Sequence, residues 1–116
     1  MVPTMSIAKR ACLITILLTA TSMTALAVDT GRAVYQGTCI ACHGAGGEGA
    51  LPGVSDLSGP NGPLSKSDEE LKRNILNGLS NPDSPLSMPP KGGDPSLSED
   101  DIDAVIRYMR EAFGNR

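Results

Sequence analysis

The feature that most restricts how this chain can fold is a five-residue string, Cys39-Ile40-Ala41-Cys42-His43, which holds the only histidine among 116 residues. A disulfide between the two cysteines is the plainest reading, but so small a loop restrains the unfolded chain little and contributes little stability. A redox-active Cys-x-x-Cys belongs at the start of a helix beside a strand, and no strand-like run precedes Cys39. Structural zinc takes four ligands. Apart from Cys12 near the N-terminus, Cys39, Cys42 and His43 are all the cysteine and histidine the chain has.

With a histidine directly after the second cysteine, the string is the attachment pattern for haem c. Two thiols add across the vinyl groups of the macrocycle, and His43 then lies beneath the iron as proximal ligand. The second axial position separates carriers from gas binders and catalysts. No other histidine is available, and beyond the N-terminal segment the methionines are Met88 and Met109. Met109 falls on an apolar helical stripe, where core packing is its expected role. Met88 stands in Leu86-Ser87-Met88-Pro89-Pro90, and the prolines stiffen a loop that must hold a weak ligand. The expected site is therefore Cys39 and Cys42 for attachment and His43 and Met88 on the iron of one covalent haem c. Such ligation raises the reduction potential and fills the coordination sphere, which leaves electron transfer as the work of the site.

The N-terminus has the layout of a secretory signal peptide. Lys9 and Arg10 precede an apolar or Thr-rich run over residues 11–20, and Ala25-Leu26-Ala27 offers small residues at the cleavage spacing. A membrane anchor is the rival, since residues 11–28 fall little short of the ~20 apolar residues that cross a bilayer. Thr15, Thr19, Thr21, Ser22 and Thr24 dilute that run. The expectation is a cleaved leader over residues 1–27 and one exported, periplasmic domain over residues 28–116. Cleavage removes Cys12, Lys9 and Arg10, so the remaining chain is more acidic than the whole, whose formal charge is −3. Nucleic acid and acidic membrane surfaces are poor partners for it, whereas redox proteins with basic docking patches suit it. The only aromatics are Tyr35, Tyr108 and Phe113, so the core is expected to lean on something else, and small domains use a disulfide, a metal or a cofactor for this.

Periodicity predicts helices and no strands. A short helix over residues 31–38 leads into the haem string. Residues 44–63 read as a loop rich in Gly and Pro; its opening satisfies G-x-G-x-x-G, but the strand and helix that a dinucleotide site requires are missing. Ser67-Asp68-Glu69-Glu70 reads as a capping box, with Ser67 accepting from backbone amides and Glu70 reaching back. Leu71, Ile75 and Leu79 then recur at helical spacing, with a stop near Gly78. Five prolines exclude regular structure over residues 81–95. A last helix is capped by Ser98, carries the stripe Ile102, Val105, Ile106, Met109 and Phe113, and ends at Gly114. The fold class is all-α, three or more short helices and loops wrapped around one haem.

These residues resemble the class I cytochromes c, and among them the small periplasmic bacterial type called cytochrome c-five. The resemblance rests on Gly31 and Tyr35 before the haem string, Met88-Pro89-Pro90-Lys91-Gly92-Gly93, and Leu97-Ser98 running into Ile106-Arg107-Tyr108-Met109. It implies that the first and last helices cross, with Gly31 allowing close approach and Tyr35 near Val105 and Tyr108. It also implies a loop carbonyl, of Pro52 or Ser55, that accepts from the second ring nitrogen of His43. Several relatives carry a further cysteine pair that this chain lacks, and residues 79–87 match loosely. The function implied is a monomeric periplasmic carrier of single electrons between respiratory or dissimilatory redox proteins, not an enzyme and not membrane-bound after cleavage. The alternatives are a haem c subunit of a larger oxidoreductase and a sensor or catalyst with an open iron site.

Overall fold

The computed structural model describes residues 20–114. The charged and apolar parts expected of a leader, with Lys9, Arg10 and Cys12, lie outside the described residues. Helix α1 (Ala20–Val34) runs into a π-helical turn (Tyr35–Cys39) and one further turn, α2 (Ile40–His43). A 3-10 turn (Pro63–Ser65) leads to α3 (Asp68–Asn77), and another (Pro90–Gly93) precedes α4 (Glu99–Phe113). The fold is all-α; the extended pairing among the described residues is an isolated antiparallel bridge between Leu79 and Met88. No helix among the described residues is long and apolar enough to cross a membrane.

The first helix differs from its expected span of 31–38. It begins at Ala20 and passes through Ala27 without a break, because Ala25, Leu26 and Ala27 favour helix; one turn on, Thr30 Oγ1 donates back to the Leu26 carbonyl at 2.9 Å. It also changes character at Tyr35. The Ile40 amide donates to the Tyr35 carbonyl, five residues back, so the turn around Gly37 and Thr38, both weak helix formers, is one residue wider. Such π-turns recur at functional sites. This one separates Tyr35, buried in the core, from Cys39, which lines a cavity.

Helix α4 is the organising element. Its start is a complete capping box: the Asp101 amide donates to Ser98 Oγ at 3.1 Å, and the Ser98 amide donates to the Asp101 carboxylate at 2.8 Å. Ile102, Val105, Ile106, Met109 and Phe113 are buried as the stripe predicts, joined by Ala104. Helix α1 crosses α4 at Gly31, where a Cβ would come within 2.6 Å of the Ala104 carbonyl carbon and 2.9 Å of Tyr108 Cβ. Beside that crossing the Tyr35 ring lies 5.5 Å from the ring of Tyr108 and 5.2 Å from that of Phe113. The phenol of Tyr35 donates to the Gly44 carbonyl at 2.7 Å, and burial pushes its pKa well above the ordinary value.

At the start of α3 only half of the expected capping box forms. Ser67 Oγ accepts from the Glu70 amide at 3.2 Å, but the Glu70 carboxylate, expected to reach back to Ser67, pairs with Lys66 Nζ at 2.7 Å. An ammonium is a stronger donor to a carboxylate than a neutral amide is. Helix α3 is fastened to α4 by Lys72, whose Nζ lies 2.9 Å from Asp103 and 3.3 Å from Glu99. Arg110 does more: it donates to Asp68 at 2.6 Å and to the carbonyls of Leu64 at 2.9 Å and Lys66 at 2.7 Å. Leu79, expected to continue the stripe of α3, lies beyond its end and is 50% exposed.

Candidate functional site

The haem string forms α2 and its approach. Cys39 is half-buried, Cys42 is exposed, and they are not bridged to each other. Burial, with Cys42 beside it, pushes the Cys39 thiol up to about 11. The loop after α2 folds back on it, the Gly49 amide donating to the His43 carbonyl at 2.8 Å and the Ala50 amide to the Cys42 carbonyl at 2.9 Å. Carbonyls that a helix C-terminus leaves open are thereby satisfied.

His43 is the centre of the site. Burial lowers its pKa below the ordinary value, because a charged imidazole is disfavoured away from water. Its Nδ1 is buried and has no hydrogen-bond partner. The expectation that Pro52 or Ser55 supplies a carbonyl to this nitrogen is corrected: neither does. Both residues are exposed, and the chain between them closes its own turn, the Val54 amide donating to the Leu51 carbonyl at 3.1 Å. With Nδ1 shut in the interior, Nε2 is the nitrogen through which the ring can bind.

Two adjoining cavities open in front of this ring. The outer one, of about 380 Å³, is lined by Cys39, Cys42, His43 and Met88 together, with Val54 and Leu86. The inner one, of about 190 Å³, shares Cys39, His43 and Met88 and is closed by core side chains such as Leu64, Leu71 and Val105. The four residues singled out in the sequence thus meet at one place. Met109 lines only the inner cavity and is 7% exposed, in keeping with a packing role. The donor set fits a haem: two unbridged thiols at the mouth, an imidazole with one nitrogen free, a thioether, and apolar walls on the scale of a cofactor pocket.

Met88 is held by its backbone. Its amide donates to the Leu79 carbonyl at 2.8 Å and its carbonyl accepts from the Leu79 amide at 2.9 Å. After it the chain bends sharply through Lys91, the one described non-glycine residue with positive φ (55°), whose Nζ donates to the Leu97 carbonyl at 2.8 Å. The next residue lies against the turn that leads into the haem string, since a Cβ on Gly92 would sit 2.9 Å from Thr38 Cγ2. Sequence reasoning missed Leu79, Gly92 and the wall formed by Leu57 and Leu64. The last two are buried at 4% and 8% within stretches read as loop or left unassigned, and isolated leucines among Gly, Pro and Ser were the available signal.

A family model described as cytochrome C oxidase, cbb3-type, subunit III, matches residues 26–109. No curated protein and no solved structure matches the chain. The matched span runs from α1 into α4 and includes the haem string and Met88.

Proposed function

Since the chain belongs to the family of cytochrome c oxidase, cbb3-type, subunit III, a family of c-type cytochrome domains, we propose that it carries single electrons with one haem c held between His43 and Met88. Covalent haem c and electron transfer come with the family. The match supports the c-type cytochromes as a class and does not reach the narrower cytochrome c-five type that the sequence resembles. The observation that carries the finer reading is the meeting of Cys39, Cys42, His43 and Met88 on one cavity.

When bound, haem c supplies a one-electron iron couple whose potential is raised by thioether ligation relative to more strongly donating ligands. Cys39 and Cys42 would hold it by thioether bonds, so that it would not dissociate. His43 offers Nε2 from α2, and Met88 offers its sulfur from the loop after α3. With His43 and Met88 both holding the iron, no position would be left for oxygen or substrate, and the reading is a carrier and not an enzyme. Leu57, Leu64, Leu71 and Val105 line or back the cavity with apolar surface and keep water from the iron. The proposal includes export to the periplasm by a leader over residues 1–27, a monomeric domain, and redox proteins as donor and acceptor.

A second reading is favoured by the description of the family itself: a haem c subunit held within a terminal oxidase. The two readings separate on fractionation. A carrier leaves cells with the periplasmic fraction, whereas a subunit purifies with membranes and other oxidase chains. The ligand assignment is tested by expressing the chain with residues 1–27 intact in a host that matures haem c. A low-spin spectrum with a sulfur-to-iron charge-transfer band at its red edge, lost in Met88→Ala, is expected. A high-spin wild type that binds carbon monoxide would sink the carrier reading and favour an open-site sensor or catalyst.

A further inference from the structure

We infer that Gly78 is a positioning residue for the Met88 ligand: the end of α3 sets where the Met88 sulfur stands over the iron. This rests on the reading of Met88 as ligand. Helix α3 stops at Asn77, and Gly78 follows with φ 74° and ψ 173°, a backbone conformation that L side chains rarely adopt. There is also no room for a side chain. A Cβ at Gly78 would lie 2.5 Å from the Met88 carbonyl oxygen, 2.9 Å from the Pro90 nitrogen and 3.1 Å from the Pro89 carbonyl carbon. The helix end therefore touches the ligand loop at three consecutive residues, backbone against backbone.

The contact fixes Met88 rather than merely covering it. One residue beyond Gly78, Leu79 exchanges both backbone hydrogen bonds with Met88, at 2.8 and 2.9 Å. Pro89 and Pro90 remove the amides and much of the freedom that would let the loop adjust. On the far side Lys91 is tied through Nζ to the Leu97 carbonyl at 2.8 Å. A Cβ at position 78 collides with carbonyl and proline atoms of a loop that cannot yield locally. The displacement has to pass to Met88 itself, which moves the sulfur and weakens its bond to iron. A thioether is a weak ligand, so a small shift is enough to let a competitor in.

The test uses the haem-bearing protein and imidazole, which competes with Met88 for the iron. Wild type, Gly78→Ala, Met88→Ala and the double variant are titrated with imidazole, and the sulfur-to-iron band is recorded for each. Gly78→Ala is expected to weaken the band and tighten imidazole binding by about tenfold, the size of couplings between residues in contact. Covalent haem and helical circular dichroism stay as in wild type. In the Met88→Ala background the same glycine change is expected to add less than about twofold, because the residue it acts through is gone. A band and affinity unchanged by Gly78→Ala overturn the inference, as does an equal increment with and without Met88, since a general loosening of the cavity acts in both backgrounds. Asn77→Ala, one residue earlier and exposed, is expected to leave the band intact. Should Gly78→Ala not accumulate, Leu79→Pro deletes the amide that donates to Met88 and carries the same two expectations. Loss of the ligand reading is seen separately, as a wild-type spectrum that Met88→Ala does not change.

Discussion

Replacing Gly31 by alanine pits two effects of opposite sign against each other. In the interior of a helix, Gly→Ala alone stabilises by about 1 kcal/mol. At this position the added methyl would stand 2.6 Å from the Ala104 carbonyl carbon and 2.9 Å from Tyr108 Cβ. The nearer neighbour is backbone, so relief requires α1 and α4 to separate along their crossing. Overpacking of a well-packed core costs about 1–3 kcal/mol, and backbone contact puts Gly31→Ala toward the upper part of that range. The expected net loss is about 1–2 kcal/mol after the helix-propensity gain. For a domain of this size that lowers Tm by roughly 4–16 °C. Gly37 supplies the comparison, because a Cβ there meets nothing within 4 Å; Gly37→Ala is expected to be neutral or mildly stabilising. Urea unfolding of the haem-bearing variants, followed by far-ultraviolet circular dichroism, measures both. A Gly31→Ala protein as stable as wild type, or more so, would refute the close crossing of the two helices.

Arg110→Met removes the donors that hold the carbonyls of Leu64 and Lys66 and the Asp68 carboxylate against α4. The expected loss is about 1–3 kcal/mol, read by the same urea titration, and Arg110→Lys is not expected to restore it, because one ammonium does not reproduce the planar fork. The haem-free chain should lose stability on mild acidification. Burial holds the pKa of His43 below 6.5, so the unfolded chain takes up a proton that the folded one resists; the contribution of the neutral ring is present above pH 6.5 and fades as pH falls toward the depressed value. Unfolding midpoints measured from neutral pH downward should fall more steeply for wild type than for His43→Phe, and equal slopes would contradict the burial of this ring.

The haem string, the stripe of α4 and the capping residues Ser67 and Ser98 were legible because each is local: a fixed spacing or a single side chain next to the amides it serves. The second partner in each cap was harder. Glu70 fits the capping template but has Lys66 one turn away, and Asp101 completes the box at Ser98 although the template names a longer acid. The start of α1 was missed because residues 20–27 satisfy a leader and a helix equally well, and composition cannot tell them apart. The bridge between Leu79 and Met88 left no trace in the sequence at all. One pair of residues has no periodicity, and the prolines around it argue for irregular chain, which is what surrounds that single pairing. The orphaned Nδ1 of His43 was equally hidden, since which carbonyl faces a ring depends on how the glycine-rich loop turns.

The same bridge makes residues 80–87 a pendant. Both ends of that serine- and proline-rich excursion are pinned together at Leu79 and Met88, so its length is mechanically uncoupled from the residues that follow. Doubling it would add only about 0.6 kcal/mol of closure entropy. One flank of the outer cavity, where Ser84, Leu86 and Ser87 stand, can therefore be rewritten by insertion or deletion without disturbing Met88. The bridge thus fixes the backbone of Met88 beside a wall that can be revised, and the character of that wall is where this scaffold can be retuned for a different neighbour.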